Sequence, residues 1–363
     1  MRFFLIFLLY GGIQAYFAAK LIHAANPAWT ARLAIVAFAI LMTVGPLLLW
    51  RLERCAQCHA VAVTGAWLIY GWMGFSFLFF WVGLAWEAYR LIAGWTGLPV
   101  FAPGPAMVVV SAVVLSLWTY GFHDARHPRT ERVAIRSAKL PAGLPGLRIV
   151  QISDVHLGVL AGRQRLDAIL KQVAALHPDI LVSTGDLVDA QAQYLDGLSA
   201  RFAAYQPRYG KFAVTGNHEH YAGLAHSVDF HRRSGFTLLR EDRVDLPDNV
   251  TLVGVDDPAV LGGATGEAAI LAGIPRDRFV ILLKHQPVVA VDARFDLQLS
   301  GHAHAGQIFP FNFAVRQVYP MMQGLYRLSQ GGELYVSRGT GTWGPPLRIL
   351  APAEITLITL QAP

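Results

Sequence analysis

Cysteine and charge are what this chain has least of. Only two of its 363 residues are cysteines, Cys55 and Cys58, and 15% are charged against 54% hydrophobic. Because no cysteine occurs beyond residue 58, disulfides cannot organise the rest of the chain, and a thiolate metal site is excluded there. So little charge over this length would not keep two soluble domains in water, and part of the chain is therefore expected in lipid. No internal repeat or low-complexity tract is visible. Aromatic and basic residues are not interleaved as they are where bases stack, so no nucleic-acid partner is expected.

The apolar residues are unevenly placed. Nearly every charge-free stretch of helix length falls before residue 123, and four of them, residues 3–19, 33–50, 60–86 and 105–122, are long enough to cross a hydrocarbon core. The first resembles a signal peptide, with Arg2 ahead of an apolar run. It lacks a small-residue cleavage site and is succeeded by further spans, so it reads as a retained anchor. The third is long enough to tilt or to hold two shorter pieces. Four spans leave both ends on one side. That side carries Arg2, Arg51, Arg54, Arg126, Arg129, Arg132, Arg136 and Lys139, and the other only Lys20, Arg32 and Arg90, which predicts a cytoplasmic C-terminal half.

The net charge of +6 lies largely in residues 123–139, where anionic lipid headgroups explain it, at about 1 kcal/mol per basic side chain near the surface. Cys55 and Cys58 sit in the string CAQCH, a c-type haem attachment pattern. Its position against the second span, on the expected cytoplasmic side, favours plain loop thiols instead, with a redox pair or an adventitious metal contact as alternatives.

Pro141, Gly143, Pro145 and Gly146 then punctuate the chain. The expected organisation is a transmembrane domain over 1–125, a basic juxtamembrane linker over 126–146, and one layered α/β domain over 147–363. Within the last, Leu166, Ile169, Leu170, Val173 and Leu176 recur at helical spacing between apolar runs at 147–152 and 180–183, a β-α-β pattern. Further strands are expected at 211–215, 250–255, 279–283, 297–299, 333–337 and 354–360, with helices near 194–205 and 224–234.

Five of these runs lead into polar residues that packing does not explain. The strings are Asp154-Val155-His156, Gly185-Asp186, Gly216-Asn217-His218-Glu219, Lys284-His285 and Gly301-His302-Ala303-His304. Strand ends on one rim of a sheet are where open α/β folds place their sites. Carboxylate, amide and imidazole donors without thiolate suit a hard-to-borderline divalent metal. About seven donors exceed what one zinc needs and point to two ions sharing a carboxylate. In an extended chain, residues two apart point the same way, which would account for the D-x-H and H-x-H spacings.

In this order, DVH, GDLVD, GNHE, KHQP and GHAHAGQ resemble the calcineurin-like metallophosphoesterase superfamily over about residues 147–360. The resemblance implies a four-layer α-β-β-α sandwich, here preceded by a bundle of about four transmembrane helices. It also implies two divalent metal ions, Mn, Zn or Fe. Asp154, His156, Asp186 and His304 match the ligands of the first, Asp186, Asn217, His285 and His302 those of the second, and Asp186 bridges. His218 matches the residue that contacts the phosphate and assists the leaving oxygen.

The chain is similar to the membrane-anchored bacterial branch, with its YkuE-like and YaeI-like phosphoesterases and UDP-diacylglucosamine hydrolases of chlamydial type. Its expected location is thus the bacterial inner membrane, multi-pass. The usual GHTHGGQ appears with Ala303 and Ala305, which removes no ligand. The implied reaction is hydrolysis of a phosphate ester or diphosphate, of a lipid-linked substrate, by metal-bridging hydroxide. A UDP-diacylglucosamine pyrophosphatase and a non-catalytic membrane scaffold are the alternatives. Lys284 and Arg348 are candidates either to meet a phosphate or to play solvated structural roles, Asp189 and Glu219 to support the ligands, and His220, His226 and His231 to lie at the surface or cap the helix.

Overall fold

A computed structural model describes residues 2–189, 192–263, 266–290, 292 and 294–363. It divides into two compact units, Met1–His123 with Gly344–Leu347, and Asp124–Trp343 with Arg348–Pro363.

The first unit is built on helices α1 (Arg2–Ala25), α2 (Trp29–Leu52), α3 (His59–Thr96) and α4 (Pro103–Arg126). Among the described residues α2, α3 and α4 are long and apolar enough to cross a membrane. The expected first span falls within α1, some of whose opening side chains lie outside those described, so the expected four spans become three by this measure. The long third stretch is one continuous helix of 38 residues, about 57 Å at the helical rise. Small residues let the helices approach: a Cβ added at Gly83 would stand 2.6 Å from the Tyr16 hydroxyl. Polar side chains inside the bundle find each other. Trp72 Nε1 donates to Gln14 Oε1 at 2.8 Å, and Gln14 Nε2 donates to Ser76 Oγ at 2.9 Å. Cys55 and Cys58 are joined as a disulfide in the α2–α3 connection and are not the free thiols expected.

The second unit runs in chain order through β1 (Arg129–Arg136), β2 (Leu147–Ile152), α5 (Arg163–Ala175), β3 (Ile180–Ser183), α6 (Leu198–Ala203), β4 (Lys211–Ala213), α7 (Asn217–Arg233), β5 (Thr237–Leu238), β6 (Asp242–Asp245), β7 (Val250–Gly254), α8 (Pro258–Leu261), α9 (Glu267–Ala272), β8 (Phe279–Leu283), β9 (Leu297–Ser300), α10 (Asn312–Val318), β10 (Gly324–Arg327), β11 (Glu333–Val336) and β12 (Glu354–Gln361). Two six-stranded mixed sheets result, ordered β1-β12-β2-β3-β4-β5 and β10-β11-β9-β8-β7-β6. The stretch read as a linker is partly sheet, since β1 pairs in parallel with β12 from Arg129 opposite Glu354 to Arg136 opposite Gln361.

Side-chain alternation explains the layering. In β3, Ile180 and Val182 face one way and join Ile149, Ile281, Leu283, Leu297 and Leu299 in the core between the sheets. Leu181 faces the other way, with Val150 and Ile152, onto Leu166, Ile169 and Val173 of α5, Phe202 of α6 and Phe230 of α7. Val280 and Leu282 turn outward on the second sheet against Leu271 of α9. A period of two on strands buried on both faces therefore yields helix, sheet, sheet, helix. The helix α5 buries the stripe its spacing predicts. Phe202 is fully buried, so Phe202→Ala is expected to cost about 3–5 kcal/mol and lower the melting temperature of the purified protein by about 10 °C.

Candidate metal centre

Strands β2, β3 and β4 run parallel, as do β8 and β9, so their carboxyl ends deliver loops to one region. The two sheets meet there. Gln151 Nε2 donates to the Ser300 carbonyl at 3.0 Å, and the His302 amide donates to Asp154 Oδ1 at 3.0 Å.

The loops are not extended. Asp154, His156, Asp186, His302 and His304, five of the seven expected ligands, have φ between 48° and 68°. This left-handed region costs a residue with a Cβ of order 1 kcal/mol and recurs at functional sites, where surrounding structure enforces it. The D-x-H and H-x-H pairs therefore converge through backbone reversal at both residues, which corrects the reading from extended-chain alternation. Ala305, where the family pattern has glycine, also sits at φ 50°.

All seven expected ligands line this region. Asp154 Oδ1 lies 3.2 Å from His304 Nε2, which lies 3.1 Å from His156 Nε2. Asp186 Oδ2 lies 3.1 Å from His285 Nε2 and 4.0 Å from His156 Nε2, so one carboxylate reaches toward both groups. His302 Nδ1 is 3.1 Å from His285 Nε2. Asn217 opens α7, and its buried Oδ1 has no hydrogen-bond partner. A buried amide oxygen left without a donor is costly unless something electropositive meets it.

Tautomers can be worked out from the outer contacts. His285 Nδ1 faces the Thr184 carbonyl at 2.8 Å. A carbonyl only accepts, so Nδ1 carries a proton and Nε2 is turned to the cluster. Tyr319 stands 2.9 Å from His302 Nε2 while its hydroxyl donates to Gln286 Oε1 at 3.3 Å. The hydroxyl therefore accepts from His302 Nε2, leaving Nδ1 bare toward the cluster.

The charge balance suits divalent cations. Burial pushes the Asp186 and Asp154 carboxyl groups up, but the neighbouring histidines, led by His285 for the first and His304 for the second, hold both well below the usual carboxylate range. Burial, with His285 adding to it for His302, pushes His302 down to about 3, and burial pushes His304 down to about 4, so both rings are neutral at neutral pH. For His285 burial is outweighed by Asp186, which lifts it to about 10. Ligand histidines bind metal with the lone pair free, so a cation would take the place of that proton. Buried acids, imidazoles and an orphaned amide oxygen thus fit the implied ions.

The comparisons agree with this geometry. Residues 147–306 match the family profile described as calcineurin-like phosphoesterase. An "Uncharacterized metallophosphoesterase" of Aquifex aeolicus is 37% identical over 256 residues, 69% of this chain and 98% of that protein. The chain belongs to the calcineurin-like metallophosphoesterases. A Bos taurus "Transmembrane protein with metallophosphoesterase domain" is 36% identical over 303 residues, 77% of this chain and 67% of that protein. The metallophosphoesterase YkuE of Bacillus subtilis is 32% identical over 262 residues, 67% of this chain and 90% of that protein.

Several residues support this metallophosphoesterase's cluster from behind. Glu219 accepts the amides of Asp186, Gly216 and Val188 at 3.0, 2.7 and 2.9 Å, tying the GDLVD and GNHE loops together. Asp189 lies 2.5 Å from His218 Nδ1 and 3.2 Å from His156 Nδ1. Burial lowers the His218 pKa, but Asp189 and then Asp186 outweigh it and lift it to about 9. Tyr319 was not anticipated; only its position after the GHAHAGQ loop could have suggested it.

Of the two readings open for Lys284 and Arg348, both take the structural one, though buried and not solvated. Lys284 is buried, its Nζ 2.5 Å from Glu267 Oε1. Arg348 is fully buried, donating to the carbonyls of His304, Arg338, Gly339, Gly341 and Ala351. His220 is exposed and His226 half-buried, but His231 is buried, its Nδ1 donating to the Ser227 carbonyl at 2.8 Å.

Gly216 lies against Asp186 itself. A Cβ there would lie 2.1 Å from Asp186 Oδ1 and 2.7 Å from the Asp186 amide nitrogen, and backbone cannot swing aside. Gly216→Ala is expected to weaken metal retention by about 10–100-fold, read as ions per chain after dialysis against graded chelator.

Proposed function

We propose that this chain is a membrane-anchored phosphohydrolase that uses two divalent ions to cleave a phosphate ester or diphosphate bond of a lipid-linked substrate. The observation that carries the reading is the reach of Asp186 toward two groups of donors, Asp154–His156–His304 and His285–His302, with Asn217 in the chain between Gly216 and His218, both of which approach Asp186. We assign the first group with Asp186 to one ion, and Asp186, Asn217, His285 and His302 to the other. Oxygen and imidazole donors suit Mn, Zn or Fe. When bound, the ions supply a nucleophile at neutral pH and draw charge from the phosphoryl oxygens.

The chain's own residues do the rest. Asp189 accepts from His218 Nδ1, which fixes the ring and leaves Nε2 for the substrate. With a pKa lifted to about 9, His218 is protonated at neutral pH and able to donate from Nε2 to the departing oxygen. Apolar helices and a relative named as a transmembrane protein support action at a bilayer. The basic count near the span ends supports a cytoplasmic catalytic unit in a bacterial inner membrane, and basic residues over 126–139 support contact with anionic lipid. A C-terminal reporter active only outside the cytoplasm would refute that orientation.

The deciding assay compares UDP-diacylglucosamine with soluble aryl phosphodiesters, using the full chain in nanodiscs with Mn²⁺. Preference for the lipid-linked diphosphate is expected. Turnover of soluble esters alone would sink the lipid reading, and absence of both turnover and bound metal would favour a scaffold.

A further inference from the structure

The segment after the last two histidines is unusual for the surface of an α/β unit. Phe311 is 51% exposed and Phe313 60%, while Trp343 is 55% and Leu350 72% exposed. They are held as one rim. The Phe309 and Phe313 rings lie 5.7 Å apart. The Phe309 amide donates to the Ile349 carbonyl at 3.1 Å, which brings Leu350 alongside. Gln307 clamps the Trp343 backbone through its carbonyl and its amide, both at 2.9 Å. Isolated exposed apolar residues are ordinary on a protein surface; a run of rings this exposed, fixed in place by hydrogen bonds, is a surface awaiting a partner.

The rim adjoins the metal centre on two sides. Tyr319, immediately after α10, touches His302 at 2.9 Å. On the other side the Trp343 ring lies 5.9 Å from that of His218. Charge selects the occupant. Arg316 is exposed three residues from Phe313 on α10, and no acid occurs in residues 297–332 or 334–353, whereas Arg338 is paired with Glu131 and Glu354 and Arg348 is buried. An aromatic rim with basic and almost no acidic company matches the boundary between anionic headgroups and acyl chains. The chain also carries helices long and apolar enough to cross a bilayer.

We infer that Phe311, Phe313, Trp343 and Leu350 form a docking surface that enters the headgroup–acyl boundary of an anionic bilayer. It brings the mouth of the metal centre to the depth of a lipid's phosphate. The inference deepens the lipid-linked reading of the site and rests on it for its purpose, though the docking itself is measured separately.

The test uses the full chain in nanodiscs of phosphatidylethanolamine and phosphatidylglycerol, with Cys55→Ser and Cys58→Ser removing the native cysteines. An environment-sensitive fluorophore is attached at Phe313→Cys, at Leu350→Cys, or at Asp277→Cys just before β8, at the end of that strand remote from the site. Labels at 313 and 350 are expected to shift to the blue and lose about half their emission to nitroxide-bearing lipids, as for side chains ~5–10 Å deep, while the label at 277 responds only to aqueous quencher. Labels at 313 and 350 that respond like that at 277 overturn the proposal. Energy transfer between labelled copies without lipid quenching overturns it too, and assigns the surface to a second copy of the chain. In a second arm, Phe311→Ser/Phe313→Ser is expected to lower the ratio of kcat/KM for the lipid-linked diphosphate to that for a soluble aryl phosphodiester about tenfold. An unchanged ratio in a variant whose label at 350 no longer enters lipid would leave docking of the parent protein standing and remove its role in selecting a lipid-linked substrate.

Discussion

Asp186→Asn is expected to lower kcat by at least about 10³-fold, some 4 kcal/mol of transition-state stabilisation. The substitution keeps the shape of the side chain and removes its charge. Asp186 Oδ2 is the atom near both His285 and His156, and Oδ1 accepts the His218 amide at 2.9 Å. Losing a carboxylate shared by two ions weakens both sites, so bound metal is expected to fall from two ions per chain to one or none. Metal analysis read beside single-turnover kinetics checks this, with the melting curve showing that the fold survives. A variant that keeps two ions and near-normal turnover would refute the shared role.

Much of the sandwich is legible in the sequence because its strands are short, apolar and buried on both faces. Residues 279–283 are expected and observed as one strand, and the stripe at Leu166, Ile169 and Val173 buries as its spacing requires. The strand β1 escapes because Arg129, Glu131, Arg132 and Arg136 leave little apolar alternation, and because its partner β12 lies more than 200 residues later. Long-range pairing gives such a strand its hydrogen bonds, whatever its local composition. Strands β5 and β10 are too short to carry a pattern of their own, and α10 exposes its apolar residues, opposite to what amphipathic spacing assumes.

The expected ligands are legible for a different reason. Each is a polar residue directly behind an apolar strand, and parallel pairing makes those strand ends neighbours. Their contacts in space are less so. Left-handed backbone at Asp154, His156, Asp186, His302 and His304 cannot be inferred from residues that normally avoid it. Nor does any string announce that Tyr319 accepts from His302, or that Arg348 is buried against carbonyl groups and the His304 ring. Both depend on where separate loops come to rest.

His218→Gln is expected to separate leaving-group assistance from metal binding. The His218 ring is held by Asp189 at Nδ1, and on the proposed reading its Nε2 donates to the departing oxygen, so the substitution would remove a proton donor while the seven proposed ligands stay in place. General-acid assistance of this kind contributes about 10²–10⁴-fold. For an alkyl phosphodiester, whose departing alkoxide needs a proton, kcat is expected to fall by about 10²-fold or more. For a p-nitrophenyl ester, whose leaving oxygen carries its charge without one, the loss is expected to be under about tenfold. Two ions per chain should remain. Asp189→Asn should show the same pattern at smaller size, about 10–100-fold on the alkyl ester, because it loosens the ring without removing it. Equal losses on both esters would instead mean that His218 acts by binding the phosphate, since an effect on the departing oxygen must depend on how much that oxygen needs the proton.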